Sequence, residues 1–320
     1  MNSIQSPNPP PLISIGITCY NAECTIRRAL DSALSQDWGH FEVLVVDDGS
    51  SDSSVSIVER YAGNHSNIRL VRQPSNCGFP VAINTLLEHA HGDFIAFFDD
   101  DDVSRPDRIR RQWERMVQYE AAHSCAGVLC YSNRTVVRDT DVSAGQLVRA
   151  IGREGPGPSG DAVFEFLMLL RERGPYVWGQ LGSGSIMVRR QFMQACGGFD
   201  PAFRRGAEWD FAIRAADLGA HLIAVNEPLL IQHVTTGVGN EKAGRTALRY
   251  ALQLRQKYRA RLRSRRMLLA AYAQAYARYY YAKRRAFRWR AFSMLAAVLA
   301  PRLLMGQLFR KSRILSRWWR

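Results

Sequence analysis

Four short apolar runs, each handing over to a segment with helical spacing, constrain this chain more than any other feature. LISIGI (Leu12–Ile17), FEVLVV (Phe41–Val46), IRLVR (Ile68–Arg72) and DFIAFF (Asp93–Phe98) are rich in β-branched and aromatic residues. Runs of this length and composition read as strands. Between them, Ile26, Ala29, Leu30, Ala33 and Leu34 recur at helix spacing. Ser51, Asp52 and Ser53 offer caps for a helix ending near Tyr61, and PVAINTLLEHA (Pro80–Ala90) reads as a helix stopped by Gly92. Pro106 suits the first turn of a helix reaching about Tyr119. The alternation predicts an α/β domain whose mainly parallel sheet is flanked by helices on both faces.

In such sheets ligands gather beyond the carboxyl ends of the strands. Three polar clusters fall there: TCYN (Thr18–Asn21), DDGS (Asp47–Ser50) and DDDD (Asp99–Asp102). Parallel strands deliver all three to one rim. Four adjacent carboxylates repel one another, and a cap for the Pro106 helix needs fewer. Hard oxygen ligands in such a cluster suit Mg²⁺ or Mn²⁺, which bind through one or two carboxylates plus substrate phosphates.

The stretch from Arg134 to Gly160 contains Gly, Pro and Ser without clear periodicity and predicts a long irregular excursion. Beyond it come a helix around Val163–Arg171, a strand at Gly184–Val188 and a short helix before CGGFD (Cys196–Asp200). An amphipathic helix in GAEWDFAIRAADLG and a strand at His221–Val225 follow. The six cysteines lack metal-finger spacing and read as reduced thiols of a cytosolic protein. Residues 1–11 are polar and Pro-rich, unlike a signal peptide, and read as a disordered lead-in.

Taken in order, ISIGITCYN, VLVVDDGSSD, SNCGFPVAIN, FFDDDDVSRPDRI, GGFD and EWDFAIRA resemble the motifs of family 2 glycosyltransferases of the GT-A fold, from Leu12 to His233. The resemblance implies a catalytic domain over 12–242, with a nucleotide-sugar half (12–133) and an acceptor half (160–242). It implies that Thr18 and Tyr20 line the nucleotide pocket, that Asp48 accepts the imide N–H of a uracil or thymine, and that Asp47 supports that turn. Asp99 and Asp101 match the family's Asp-x-Asp: Asp99 at the ribose or sugar and the metal, Asp101 as metal ligand. Asp100 would share the ribose role, and Asp102 would cap or orient. Asn76, Gly78 and Asn84 would close over the nucleotide, although Asn84 equally suits structural hydrogen bonds and Gly78 a simple turn.

In the resembled family a Glu-Asp pair opens a helix and its Asp is the catalytic base. Here Ala207 and Glu208 stand in those places, a departure that makes Glu208 the expected base. Asp210 is the runner-up; its place in a first helical turn also suits a structural bond. His233 would add a metal or diphosphate contact, or serve structurally. Trp178 and Trp209 would meet the acceptor, with a core role the alternative for Trp178. Thr235–Lys242 would be a phosphate-facing lid or a solvated loop. The implied reaction is inverting, Mn²⁺- or Mg²⁺-dependent transfer of a sugar from a UDP- or dTDP-type donor to a hydroxyl of a glycan or lipid-linked acceptor. Cell-envelope or extracellular polysaccharide synthesis is the implied setting. A sugar nucleotidyltransferase would want a Gly-rich basic loop where TCYNAEC stands. An inactive nucleotide-sugar-binding module stays open.

The charge is uneven. Residues 243–320 carry 21 Lys and Arg and no Asp or Glu, while the rest of the chain carries 22 basic against 29 acidic residues. Leu248–Arg290 predicts long Arg-rich helices with Tyr272, Tyr276 and Tyr279 on one side. Ala291–Ala300 is apolar but too short to span a bilayer. With its Arg flanks and Trp289, Trp318 and Trp319, the extension 243–320 suits the surface of an anionic membrane. That predicts a peripheral protein on the cytoplasmic face of the inner or plasma membrane. A helical pair packed on the catalytic domain is the alternative; nucleic-acid binding is disfavoured because the charge is mixed with an apolar stripe and no nucleic-acid motif is present.

Overall fold

The computed structural model describes residues 10–138, 141–234 and 244–301. Four strands, β1 (Ile13–Cys19), β2 (Phe41–Asp47), β3 (Ile68–Arg72) and β4 (Phe94–Asp99), form the parallel half of one mixed sheet. They stand in the order β3-β2-β1-β4. Helices α1 (Ile26–Leu34), α2 (Ser54–Asn64) and α3 (Phe79–His89) connect them. The short β5 (Val103–Ser104) and α4 (Arg108–Ala122) follow. Pro106 sits just ahead of α4, outside its first turn, with Asp107 as N-cap.

Both faces of the sheet are covered, so the period-two alternation of each strand feeds two cores. Val43 and Val45 of β2 join Ile13, Ile15 and Ile17 under α1, α2 and α4. Leu44 and Val46 point the other way, into the core under α3. This is why the strands read as continuous apolar runs.

The second half departs from the sequence reading. The stretch expected to be irregular from Arg134 holds the end of β6 (Gly127–Arg138) and all of β7 (Asp141–Val148). β6 runs parallel to β9 (Ala220–Val234) from Gly127 to Arg138, with register shifts at Ser132–Arg134. Those shifts let Pro228 sit within β9, at a break in the ladder where a missing N–H is tolerated. The expected strand at His221–Val225 and the apolar LLIQ beyond it are thus one 15-residue strand. The apolar start of β6, Val128–Tyr131, gives way to buried Ser132 and Asn133, where the strand pattern breaks. Buried Asn133 donates to Asn226 Oδ1 (3.0 Å) and accepts from the Ala150 N–H (2.8 Å). Between β4 and β6 lies β8 (Met187–Arg189), antiparallel to both and preceded by a 3-10 turn at Ser183–Ser185. Helices α5 (Gly160–Leu169), α6 (Arg190–Ala195) and α7 (Ala207–Asp217) complete this half.

The basic segment supplies α8 (Arg245–Lys257), a 3-10 turn at Arg259–Leu262, α9 (Arg265–Ala282) and α10 (Ala286–Leu299). Its first part is not a separate extension in the packing. Leu254, Leu262, Ala270 and Ala271 are buried in the same core as α5 and α7. Arg261 bridges Asp217 and Asp161, and Lys257 bridges Asp200 and Asp210. The acidic body and the basic helices therefore meet charge to charge. α10 differs: Phe287, Met294, Leu295 and Val298 are exposed on it, with Phe287 85% accessible. The expected lead-in up to residue 9, the segment Thr235–Lys242 and the tail carrying Trp318 and Trp319 lie outside the described residues. All six cysteines are free.

Candidate active site

Register brings the strand-end clusters together. Thr18 is level with Val46 on one side and Asp99 on the other, and Cys19 is level with Asp47. Asp47 is buried and accepts the Ser50 N–H (3.1 Å), closing the turn after β2. Asp48 accepts the N–H of Cys77 through Oδ1 (2.7 Å) and that of Gly78 through Oδ2 (2.8 Å). Gly78 caps α3 at φ +94, a conformation other residues adopt at a cost, so the carboxylate and the glycine together set this loop. Asn76 is half-buried in the same loop. Tyr20 is exposed, and its backbone N–H donates to Asp100 Oδ2 (3.2 Å), tying the β1 rim to the acid cluster.

Within that cluster, one oxygen each of Asp99, Asp101 and Asp102 lie within 4.8 Å of one another. Asp102 accepts the His233 N–H through Oδ1 (2.9 Å), while its buried Oδ2 has no hydrogen-bond partner among the described residues. Arg108, fully buried below, donates to the Phe97 carbonyl (2.7 Å) and to Ser104 Oγ (2.8 Å) and lends positive charge without pairing directly. A Cβ at Gly184 would stand 2.2 Å from Asp99 Oδ2, so the 3-10 turn approaches Asp99 as closely as a glycine permits. Burial, with Asp101 and Asp99 alongside, pushes the Asp100 carboxyl up to about 7. Burial, then Asp99 and Asp101, push Asp102 up to about 8. Carboxylates this close resist joint ionisation unless a cation joins them. The all-oxygen donor set and the orphaned Oδ2 fit a hard divalent ion.

Glu208 lies in the first turn of α7, half-buried. Burial raises its pKa and Asp99 adds to the rise; its own backbone N–H and Arg205 oppose it. Its side chain lines a cavity of about 410 Å³ between α7 and the α8–α9 helices, together with Gln180, Arg205, Trp209 and Arg278. Asp210 is fully buried and takes Arg214 Nε (2.8 Å), Tyr258 OH (2.9 Å) and Lys257 Nζ (2.6 Å). With those partners it is a structural tie between α7 and α8.

Three expected site residues are placed differently by their bonds. Asn84 is turned to the segment after α6: it donates to the Phe199 carbonyl and accepts the Phe199 N–H, both at 2.8 Å, so both ends of its amide are engaged. Trp178 stacks on Phe166 (ring centroids 4.4 Å apart), packs against the core and does not itself line the Glu208 cavity. His233 reaches the acid cluster through its backbone, and its ring is not among the three grouped ligands. Trp209, by contrast, lines the cavity beneath the Arg278 guanidinium (4.5 Å).

Sequence reasoning missed Tyr131 and Arg134. The Tyr131 hydroxyl is buried without a partner among the described residues and feels the Glu208 charge. Arg134 donates to Gln232 Oε1 (2.8 Å) and Gln180 Oε1 (2.7 Å), leaves Nη1 unpartnered, and feels Asp102 and Asp99. Both belong to β6, and only the recognition of that strand would have drawn attention to them.

Residues 14–172 match the family model for glycosyl transferase family 2. An uncharacterised glycosyltransferase of Haemophilus influenzae is 38% identical over 108 residues, 34% of this chain and 43% of its own length. The amylovoran biosynthesis glycosyltransferase of Erwinia amylovora is 26% identical over 243 residues, 75% of each chain. The matched stretch spans less than half the length of the first curated relatives. Among solved structures, S. aureus TarS 1–349 in complex with UDP-GlcNAc superposes with a TM-score of 0.58 at 17% identity, covering 84% of this chain and 72% of that one. A Pyrobaculum calidifontis mannosyltransferase in complex with GDP-Man and Mn²⁺ does so at 0.53 and 20%, covering 96% and 83%. The fold is accordingly GT-A, and over residues 14–172 the chain belongs to glycosyl transferase family 2.

Proposed function

We propose that this chain transfers a sugar from a nucleotide-diphosphate donor to an acceptor hydroxyl, with Glu208 as base. The observation that carries the reading is the convergence of Asp99, Asp101 and Asp102 at one rim, with Glu208 close enough to feel Asp99. Asp48 holds the Cys77–Gly78 backbone and keeps further lone pairs for the imide N–H of a uracil or thymine. Thr18 and Tyr20 flank the base and ribose, and Asp100 the ribose. Asp101 and Asp102, with Asp99, would hold Mn²⁺ or Mg²⁺. When bound, that ion neutralises the charge developing on the departing diphosphate.

Glu208 takes the acceptor proton as the oxygen attacks the anomeric carbon. Its raised pKa makes it a stronger base than an exposed glutamate. A single displacement with one base inverts the anomeric configuration. The donor complexes of the solved relatives support a nucleotide sugar here, and the Erwinia amylovora relative supports polysaccharide assembly as the setting.

The exposed apolar residues of α10, beside Lys283, Arg284, Arg285, Arg288 and Arg290, support attachment to an anionic membrane surface on its cytoplasmic face. No helix among the described residues is long and apolar enough to cross a membrane. UDP release from a panel of UDP-sugars with Mn²⁺, compared with Glu208→Gln, tests the assignment. Undiminished release by the variant removes Glu208 as base, and no release by the unsubstituted chain from any donor favours a non-catalytic sugar-nucleotide-binding role.

A further inference from the structure

The Glu208 cavity does not end at α7. A second cavity, of about 490 Å³, shares Leu248 and Tyr279 with it and opens beside Arg249 and Arg288. Together they trace a path from the base, along α8 and α9, to the neighbourhood of α10. We infer that this path is the acceptor subsite, and that it takes an acceptor whose reacting group is joined through a phosphate or diphosphate to an apolar chain. The inference rests on the proposed role of Glu208 and narrows its acceptor class.

Two features of the lining point to that chemistry. The first is an uncompensated cation. Arg278 lies over Trp209, and among the described residues no carboxylate pairs with it. Its neighbour Arg255 is buried with its donors turned to the carbonyls of Ala271 (2.6 Å), Ala251 (2.8 Å) and Met168 (3.4 Å). Burial, and then the Arg255 charge, push the Arg278 guanidinium down to about 9. A cation held so, beside a like charge, is costly until an anion arrives. The second feature is apolarity. Leu167, Leu181, Leu248 and Leu254 wall the inner cavity, and among the described residues Glu208 is the sole acid lining either one. An apolar chain is matched by those leucines, and its phosphate by Arg278. The outer cavity then releases the chain beside Arg249 and Arg288, on the side where Arg288 belongs to α10, the helix that exposes Phe287 and Val298.

Farnesyl diphosphate is a suitable probe, with farnesol and inorganic diphosphate as its two halves. Binding to the full chain is measured by calorimetry in the presence of UDP and Mn²⁺. The expected result is at least ten-fold tighter binding of farnesyl diphosphate than of either half. Arg278→Ala should lose ten-fold or more of that affinity and Arg278→Lys less. Leu248→Asn should bind it no better than inorganic diphosphate. UDP–Mn²⁺ binding, read on the same samples, reports that each variant is folded. Equal affinity for farnesyl diphosphate and inorganic diphosphate overturns the inference, as does unchanged binding by both Arg278→Ala and Leu248→Asn. If UDP binds and farnesyl diphosphate does not, this inference alone fails. If the unsubstituted chain binds neither, the donor reading fails with it.

Discussion

At the scale of single residues, the site is a balance of unlike environments for like groups. Asp210 and Glu208 share one helical turn, yet Asp210 is locked by Arg214, Tyr258 and Lys257 while Glu208 faces a cavity. Glu208→Gln should lower kcat by roughly 10²-fold or more, the scale of a lost general base, while leaving nucleotide binding in place. Since the base must be ionised and its pKa is raised, the rate should climb with pH through a value above that of an ordinary glutamate. A kcat profile whose acid limb stays in the ordinary carboxylate range contradicts that. Gly184→Ala would drive a methyl into Asp99, so Mn²⁺ affinity measured by calorimetry should fall while Asp210-dependent packing is untouched. Motif spacing alone made the acid cluster legible. It did not reveal that Asp102 shares the grouping, since its place depends on the His233 backbone 131 positions later.

At the scale of elements, the parallel half was readable because each strand is apolar on both faces and each helix follows at once. The middle of the β6–β9 pair was not, because buried Asn133 and half-buried Arg134 interrupt its apolar runs and bond to side chains distant in sequence. Asn133, Arg134, Gln180, Gln232 and Asn226 look like loop composition until their partners are known. Asn84 teaches the same lesson in reverse. Its place in the motif suggested a ligand contact, and its bonds instead clasp α3 to the turn after α6, 115 positions away. Asn84→Ala would strip both partners from the Phe199 peptide and should cost about 1–3 kcal/mol, the penalty for leaving buried polar groups unpaired. A shifted urea midpoint with unchanged UDP affinity is the expected outcome; lost UDP affinity at unchanged stability would restore the nucleotide role.

At the scale of the molecule, the segregated charge has two uses. The cations around Lys257 and Arg261 face the carboxylates of the body, whereas those flanking α10 face outward. The first set should make α8 and α9 part of the cooperative unit. Leu254→Ala is expected to cost about 2–5 kcal/mol, as for a large-to-small change in any core, and to shift a single unfolding transition. A separate early transition would mean these helices fold apart. The outward set should give binding to vesicles containing phosphatidylserine that weakens as salt rises, because such attraction is screened within about a Debye length. Replacing Phe287 and Val298 with serine should weaken what salt leaves behind; sedimentation with vesicles reads both effects.

The core that holds α5 and α7 also takes Leu262, Ala270 and Ala271 from late in the chain. During synthesis, then, Glu208 leaves the ribosome well before the wall that faces it. A nascent chain halted near residue 244 would carry every acid of the rim and still present α5 and α7 with bare apolar flanks to chaperones and proteases. The wall opposite Glu208 would arrive only with α8 and α9, after the parallel strands of the rim had already had time to form.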